Sequence, residues 1–308
     1  MTVPDMSQQP NALAFSLNLH PLATSLEEAI GAESGRIESR SFPDGETYLK
    51  VLSSVRGRPC LIVEELSHPN AKYLPLVFLS ETLRELGAAS VGLVAPYLSY
   101  MRQDRRFVDG EAVTSRLFAR SLSRHFDWLV TVDPHLHRYH ALDEIYSIPS
   151  QVVQGAPALS RWLKTQDQLL LVGPDEESRQ WVSKIAHYSG HPYVVAAKER
   201  HGDRKVKVIL QPLDDFHGRT PIIIDDVISS GQTILECMKA LQFQGFHNIQ
   251  CAAVHGIFAD GADEALMVAG VESLITTNTI PHASNAVDIT ALLVKPVMQF
   301  LRSLEKTT

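Results

Sequence analysis

Two adjacent carboxylates, Asp225 and Asp226, close a short apolar run in the stretch 221–234, PIIIDDVISSGQTI. Ser229, Ser230, Gly231, Gln232 and Thr233 follow, residues that can turn the chain and donate hydrogen bonds. An apolar run, a tight polar turn and then helical periodicity (Ile234, Leu235, Met238, Leu241) is how α/β proteins hold phosphate. Backbone N–H groups converge there, the helix dipole favours an anion and the hydroxyls add donors. Phosphate alone would be repelled by the acidic pair, whereas a sugar phosphate brings hydroxyls to engage it. Taken alone, Asp-Asp serves equally well as a helix N-cap; the whole turn favours a ligand.

Five further stretches carry chemistry. FPDGE at 42–46 contains a Pro-Asp-Gly turn signal, which alone has a sufficient structural purpose. Its functional reading has Phe42 stacking on a purine while Asp44 and Glu46 accept from the amino group. PYLSYMRQDRRF at 96–107 follows an apolar run and gathers Arg102, Arg105 and Arg106 around Gln103 and Asp104. Its place beyond a strand end, without helical periodicity, favours a phosphate clamp over a solvated loop. DPHLHRYH at 133–140 offers Asp133, His135, His137 and His140. The spacing does not suit zinc. Alternation predicts an extended segment with Asp133 and His135 on one face beside a nucleotide's Mg²⁺, and His137 and His140 as structural or surface residues. VGPDEES at 172–178 puts Asp175 at another strand end, with a helix N-cap as the competing reading. KERHGDRK at 198–205 joins two strands as either a plain mobile connection or a lid over phosphates.

Strands are expected at 12–17, 36–41, 48–52, 60–64, 91–95 and 128–132, then at 169–172, 193–197, 206–210, 221–224, 249–254 and 274–277. Helices are expected at 25–30, 72–86, 115–126, 157–164, 178–189, 234–243 and 263–268. A last helix starts at the Lys295-Pro296 pair and runs to 305. The alternation is that of an α/β protein with largely parallel sheets. It restarts near 148–154, which suggests a duplication, and 308 residues leave room for two domains.

With 28 basic and 35 acidic residues the net charge is -7, against a general nucleic-acid binder. Cys60, Cys237 and Cys251 are far apart in or beside apolar runs and read as reduced core residues of a cytoplasmic protein. The first ten residues lack the basic start and apolar stretch of a signal peptide and are expected to form a disordered tail. No run is long enough to cross a membrane.

In this order, FPDGE, YMRQDRR, VDPH and DDVISSGQT resemble the ribose-phosphate pyrophosphokinase family, the phosphoribosyl pyrophosphate (PRPP) synthetases, over residues 12–304. The last motif is also similar to the PRPP loop of type I phosphoribosyltransferases, but those have one domain and lack the FPDGE and RQD segments. The resemblance implies two type I phosphoribosyltransferase-like domains, each a mostly parallel sheet flanked by helices. The first would be 1–149, with a C-terminal helix in 287–308 packing back on it; the second would be 150–286, carrying the PRPP loop.

It further implies transfer of the pyrophosphoryl group of Mg-ATP to the 1-hydroxyl of ribose 5-phosphate, giving PRPP and AMP for nucleotide biosynthesis. By similarity, Phe42, Asp44 and Glu46 hold the adenine, and Arg102 and Gln103 contact the nucleotide. His135, with Asp133 and Asp175, would ligate Mg²⁺. Lys198 and Arg200 would stabilise the β-phosphoryl group in flight. Asp175, Asp225 and Asp226 would engage the ribose, and Ser229, Ser230, Gly231, Gln232 and Thr233 the 5-phosphate. The partners implied are ATP, ribose 5-phosphate and further copies of the chain, in a dimer-based homo-oligomer whose FPDGE loop completes a neighbour's site. Neither nucleic acid nor membrane is among them.

Three positions depart from the family pattern. Glu199 separates Lys198 from Arg200, where many members have two basic residues after the lid lysine. Glu176, Glu177 and Ser178 stand where glycines are common, and Gln232 also replaces a common glycine. Two other readings remain: a weak or silent regulatory homologue, and a PRPP-consuming phosphoribosyltransferase, which would need a base-binding hood and has no use for FPDGE.

Overall fold

The computed structural model describes residues 11–136, 138–201 and 205–305, and for 198–201, 205–207 and 304–305 the backbone alone. The expected tail 1–10, His137 and residues 202–204 of the charged connection lie outside the described residues. The chain forms two compact units, one up to Val153 and again from Thr290, the other Gln154–Ile289.

In chain order the first unit contains β1 (Leu13–Phe15), α1 (Pro21–Ile30), β2 (Glu33–Ser34), β3 (Ile37–Ser41), β4 (Thr47–Val51), β5 (Pro59–Val63), α2 (Pro69–Glu85), β6 (Ser90–Ala95), α3 (Thr114–His125), β7 (Trp128–Val132) and β8 (Ser150–Val153). The second contains α4 (Ala156–Leu163), β9 (Leu169–Gly173), α5 (Arg179–Ser189), β10 (Tyr193–Val195), β11 (Ala197–His201), β12 (Lys205–Ile209), β13 (Thr220–Ile228), α6 (Gln232–Phe243), β14 (Ile249–Gly256), α7 (Ala262–Val268), β15 (Val271–Thr277) and β16 (Asn285–Val287). Helix α8 (Thr290–Glu305) returns to the first unit, where Phe300 stacks on Trp128 with ring centroids 5.1 Å apart.

Each unit has a six-stranded parallel sheet and a separate antiparallel ribbon. The orders are β2-β1-β5-β6-β7-β8 and β10-β9-β13-β14-β15-β16, with ribbons β3-β4 and β11-β12. The second is therefore the first shifted by eight strands. The central strands PCLIV, SVGLVA and WLVTV, apolar but for Ser90 and Thr131, are buried along their whole length, as strands covered on both faces are.

The two units can be matched through the core-facing residues of their paired strands. Leu13 lies opposite Cys60 as Leu170 lies opposite Pro221. Cys60 and Ile62 share a core with Leu76, Leu79 and Leu83 of α2, as Ile223 does with Cys237, Met238 and Leu241 of α6. Glu64 is thus the counterpart of Asp225, Glu65 of Asp226 and Asn18 of Asp175.

Five expectations are corrected. Strand β13 does not stop at Ile224 but continues to Ile228, so the acidic pair lies inside a strand; β14 pairs with it as far as Ile228↔Gly256. The charged connection is largely not a loop: β11 and β12 pair from Ala197↔Ile209 to His201↔Lys205, and the backbone of Lys198 and Arg200 is part of that ribbon. Asp133 and His135 are not extended, since both have left-handed backbones (φ 34° and 53°). Helix α8 begins five residues before Lys295, with Pro296 inside it. Buried Leu293, Val297 and Leu301 form one continuous apolar stripe there, and its packing outweighs the hydrogen bond that proline forfeits. Helix α2 likewise starts at Pro69 and contains Pro75.

Candidate active site

In the second unit, Ile222, Ile223 and Ile224 anchor β13 in the core and carry Asp225 and Asp226 to the carboxyl end of the sheet. There the chain turns through Ser229, Ser230 and Gly231 into α6. Gly231 takes φ 71°, and a side chain there would meet Leu266 of α7 at 3.3 Å, so the turn requires glycine for conformation and for space. The first hydrogen bond of α6 runs from Leu235 N–H to the Gly231 carbonyl at 2.9 Å. The N–H groups of Gln232, Thr233 and Ile234 precede it and have no acceptor inside the helix. Ser229, Ser230 and Thr233 add accessible hydroxyls. Gln232 directs its side-chain amide along the helix to Glu236 (3.2 Å), so this departure from glycine turns away from the loop.

The carboxylates concentrate negative charge at this strand end. Burial first, then the charges of Asp226 and Asp175, hold the Asp225 carboxyl well above the usual carboxylate range. Burial, with Asp225 and Asp175 adding to it, pushes the Cys237 thiol of α6 up to about 12. All three cysteines are buried and free. Asp175 also accepts from the Ser178 N–H at 3.2 Å, capping the short turn Glu176–Ser178, so the N-cap reading holds for this side chain. Glu176 turns outward to Arg179, with two contacts of 2.7 Å, and its charge is neutralised away from the other carboxylates. Asp225 and Asp226, being inside a strand, do not cap α6; its N-cap is Gly231.

In the first unit, FPDGE forms the tip of the β3-β4 ribbon. Phe42 N–H donates to the Glu46 carbonyl at 2.7 Å, and Asp44 accepts from Glu46 N–H at 3.2 Å. Phe42 is exposed, and the Arg40 guanidinium lies 4.6 Å from its ring centre. Beyond β6, the expected three-arginine clamp divides. Asp104 is fully buried and takes both contacts of Arg138 Nη1, at 2.7 and 3.0 Å. Arg106 donates to the Glu111 carbonyl at 2.9 Å, and Arg105 lies over the Phe107 ring at 4.9 Å. Arg102 is exposed and Gln103 partly so. At the end of β7, Asp133 N–H is held by the Val153 carbonyl and His135 N–H by the Asp133 carbonyl, at 3.0 and 2.8 Å. His140 is exposed. Among the described residues no three His, Cys, Asp or Glu side chains form a ready metal cage.

Sequence reasoning missed the acidic pair of the first unit, although the signal, a buried strand ending in Glu64 and Glu65, is the same one that marked Asp225 and Asp226. Here the charges are met from within. Glu64 is buried and accepts from Asn18 and from the Leu17 N–H, while Glu65 pairs with Lys72 and accepts from the Ser67 N–H. The anchoring Asp104–Arg138 pair was missed as well, because its partners are 34 residues apart.

Residues 13–125 match the family model of the N-terminal domain of ribose phosphate pyrophosphokinase, and residues 141–289 match that of the phosphoribosyl transferase domain. The chain is 33% identical over 272 residues to the ribose-phosphate pyrophosphokinase of Methanopyrus kandleri, covering 87% of this chain and 92% of that one. It is 35% identical over 265 residues to that of Saccharolobus solfataricus, covering 83% and 88%. In fold it is similar to the phosphoribosylpyrophosphate synthetase of Mycobacterium smegmatis, with a TM-score of 0.80 at 23% identity over 95% of this chain and 99% of that one. With both domain models matched in sequence and the ribbon tip, arginine loop and acidic strand end in the family's order, this chain belongs to the ribose-phosphate pyrophosphokinases.

Proposed function

We propose that the protein transfers the pyrophosphoryl group of Mg-ATP to the 1-hydroxyl of ribose 5-phosphate, releasing AMP. The observation that carries this is the pairing of Asp225 and Asp226 with the 229–231 turn at the start of α6. The carboxylates suit the ribose hydroxyls, and the helical N–H groups and hydroxyls suit the 5-phosphate. A carboxyl raised by burial and then by its neighbours is most readily relieved by hydroxyl donors or a cation, and both come with these substrates.

Mg²⁺ fits the donor set. It keeps most of its waters and takes one or two carboxylates together with substrate phosphates, so it needs no cage of protein ligands. Asp133, His135 and Asp175 are the residues that would hold it. When bound, it neutralises charge on the phosphate oxygens of ATP. Phe42, Asp44 and Glu46 hold the adenine, Arg102 and Gln103 contact the nucleotide, and Lys198 and Arg200 stabilise the transferring group from their ribbon. In this reading the adenine pocket is completed by the ribbon tip of a second copy.

The test is AMP release from ATP and Mg²⁺, with and without ribose 5-phosphate. Release that depends on the sugar phosphate supports the reading; its absence, with either substrate order, rejects it. Mixing inactive Phe42→Ala and Asp226→Ala chains under subunit exchange tests the shared pocket. Recovered activity supports it, and no recovery after demonstrated exchange assigns the pocket to one chain.

A further inference from the structure

The connection after β14 is unusual. Phe258, Asp260 and Gly261 all have left-handed backbones (φ 47°, 56° and 75°), a combination that persists only where the surroundings impose it. This connection also braces the phosphate turn. The N–H groups of Ile257 and Phe258 both donate to the Ile228 carbonyl, at 2.9 and 3.1 Å, and that of Ala259 donates to the Ser229 carbonyl at 3.0 Å. At its far end, α7 places buried Leu266 against Gly231. The turn 228–231 is therefore held at both ends by one segment.

His282 packs against this left-handed path. Its ring lies 4.5 Å from that of Phe258, and Phe258 in turn lies where any side chain at residue 256 would be, 2.5 Å from an added carbon, so Gly256 makes room for it. The imidazole is fixed from three sides. Ser284 N–H donates to Nδ1 at 3.1 Å and the Ser284 hydroxyl lies 2.8 Å from the same atom. Nδ1 is thus the acceptor, and Nε2–H donates to Asp263 Oδ2, 3.2 Å away in the first turn of α7. The backbone of His282 is tied down too: its N–H donates to Asn285 Oδ1 at 3.0 Å. One side chain therefore touches both parts of the brace, the Phe258 ring by a tilted ring contact and α7 through Asp263.

We infer that His282 is a positioning residue of the phosphate turn, acting through Phe258 and Asp263 to hold Ser229–Gly231 in the geometry that receives the sugar's phosphate. The inference rests on the proposed reaction. A ligand phosphate contacts several backbone donors at once, so a small shift of the turn weakens all of them together.

The test uses the full chain with His282→Ala and His282→Gln, the latter keeping a donor for Asp263. Initial rates give KM for ribose 5-phosphate, KM for ATP and kcat, and thermal melting is recorded in parallel. For His282→Ala a rise of about tenfold or more in KM for ribose 5-phosphate is expected, with KM for ATP nearly unchanged and partial rescue in His282→Gln. A similar split in Asp263→Ala would support the same chain of contacts, and covers the case in which His282→Ala fails to fold. A lowered melting temperature with unchanged KM for ribose 5-phosphate would make the residue merely structural and overturn the inference, as would equal rises in both KM values. Wild-type protein that releases no AMP would overturn the reaction and the inference together, an outcome separate from active wild type with an unaffected variant.

Discussion

Arg138 closes on Asp104 with one nitrogen on both carboxylate oxygens, at 2.7 and 3.0 Å, and Asp104 has no exposed side-chain surface while Arg138 is half exposed. The loop that presents Arg102 and Gln103 is thus pinned by the residue right beside them. Asp104→Ala is expected to cost about 2 kcal/mol, less than a fully buried pair because water can solvate the freed guanidinium. It should also raise KM for ATP. Urea unfolding and initial rates check this, and an unchanged midpoint with unchanged KM would contradict it.

Asp225 gives a pH prediction whose sign follows from its raised carboxyl. Below the ordinary value of 3.8, folded and unfolded chains are both protonated and its contribution to stability is fully present. As pH rises through the higher folded value, the native state must give up a proton it holds more tightly, and that stability is lost. Asp225→Asn should therefore raise the Tm of the ligand-free protein at pH 8, with the gain shrinking toward pH 4, while ribose 5-phosphate binding is lost. A lower Tm at pH 8 in the variant would refute the assignment.

His135 follows Asp133 in a left-handed pair of residues at the end of β7. If it ligates Mg²⁺ beside the nucleotide, His135→Ala should raise the free Mg²⁺ needed for half-maximal rate by about tenfold, with excess Mg²⁺ restoring part of the activity. Rates measured across a Mg²⁺ titration at fixed ATP decide it; a curve superimposable on wild type removes His135 from the site.

Lys198 belongs to β11, paired with Val208, and so is carried by a ribbon rather than by a free loop. Lys198→Ala should lower kcat by about 10²-fold and change either KM by less than about threefold, as for a contact made mainly in the transition state. A variant that loses affinity at unchanged kcat would move Lys198 to ground-state binding.

Much of this was legible in the sequence where one physical cause dominated. The strand 128–132 is legible to the residue because WLVTV is apolar but for Thr131 and is flanked by Asp127 and Asp133. The glycine-bearing turn after Asp226 was legible because its residue types admit few conformations. Legibility failed where distant residues decide. Continuation of β13 to Ile228 depends on pairing with β14, which the carboxylates themselves do not announce. The two-residue strand β2 and the three-residue strand β16 exist because a neighbour offers an edge. Asp133 and His135 alternate in sequence, yet both take left-handed backbones, against the extended bias that Pro134 gives the residue before it, and the His135 N–H turns back to the Asp133 carbonyl. Asp104 sits among arginines that invited a ligand reading, and Arg138, far along the chain, claims it instead.

The repeat of one architecture in two units has a practical consequence. Every position at the acidic strand end has a counterpart on an equivalent strand whose carboxylates are already answered by Lys72, Asn18 and nearby N–H groups. The molecule thus contains its own reference state. A substitution at Asp225 combines the cost of altering a buried carboxyl at the mouth of a parallel sheet with the loss of whatever that carboxyl binds. The matching change at Glu64 also alters a buried carboxyl but removes bonds to Asn18 and the Leu17 N–H, so it shows in the same chain what a carboxyl with internal partners contributes.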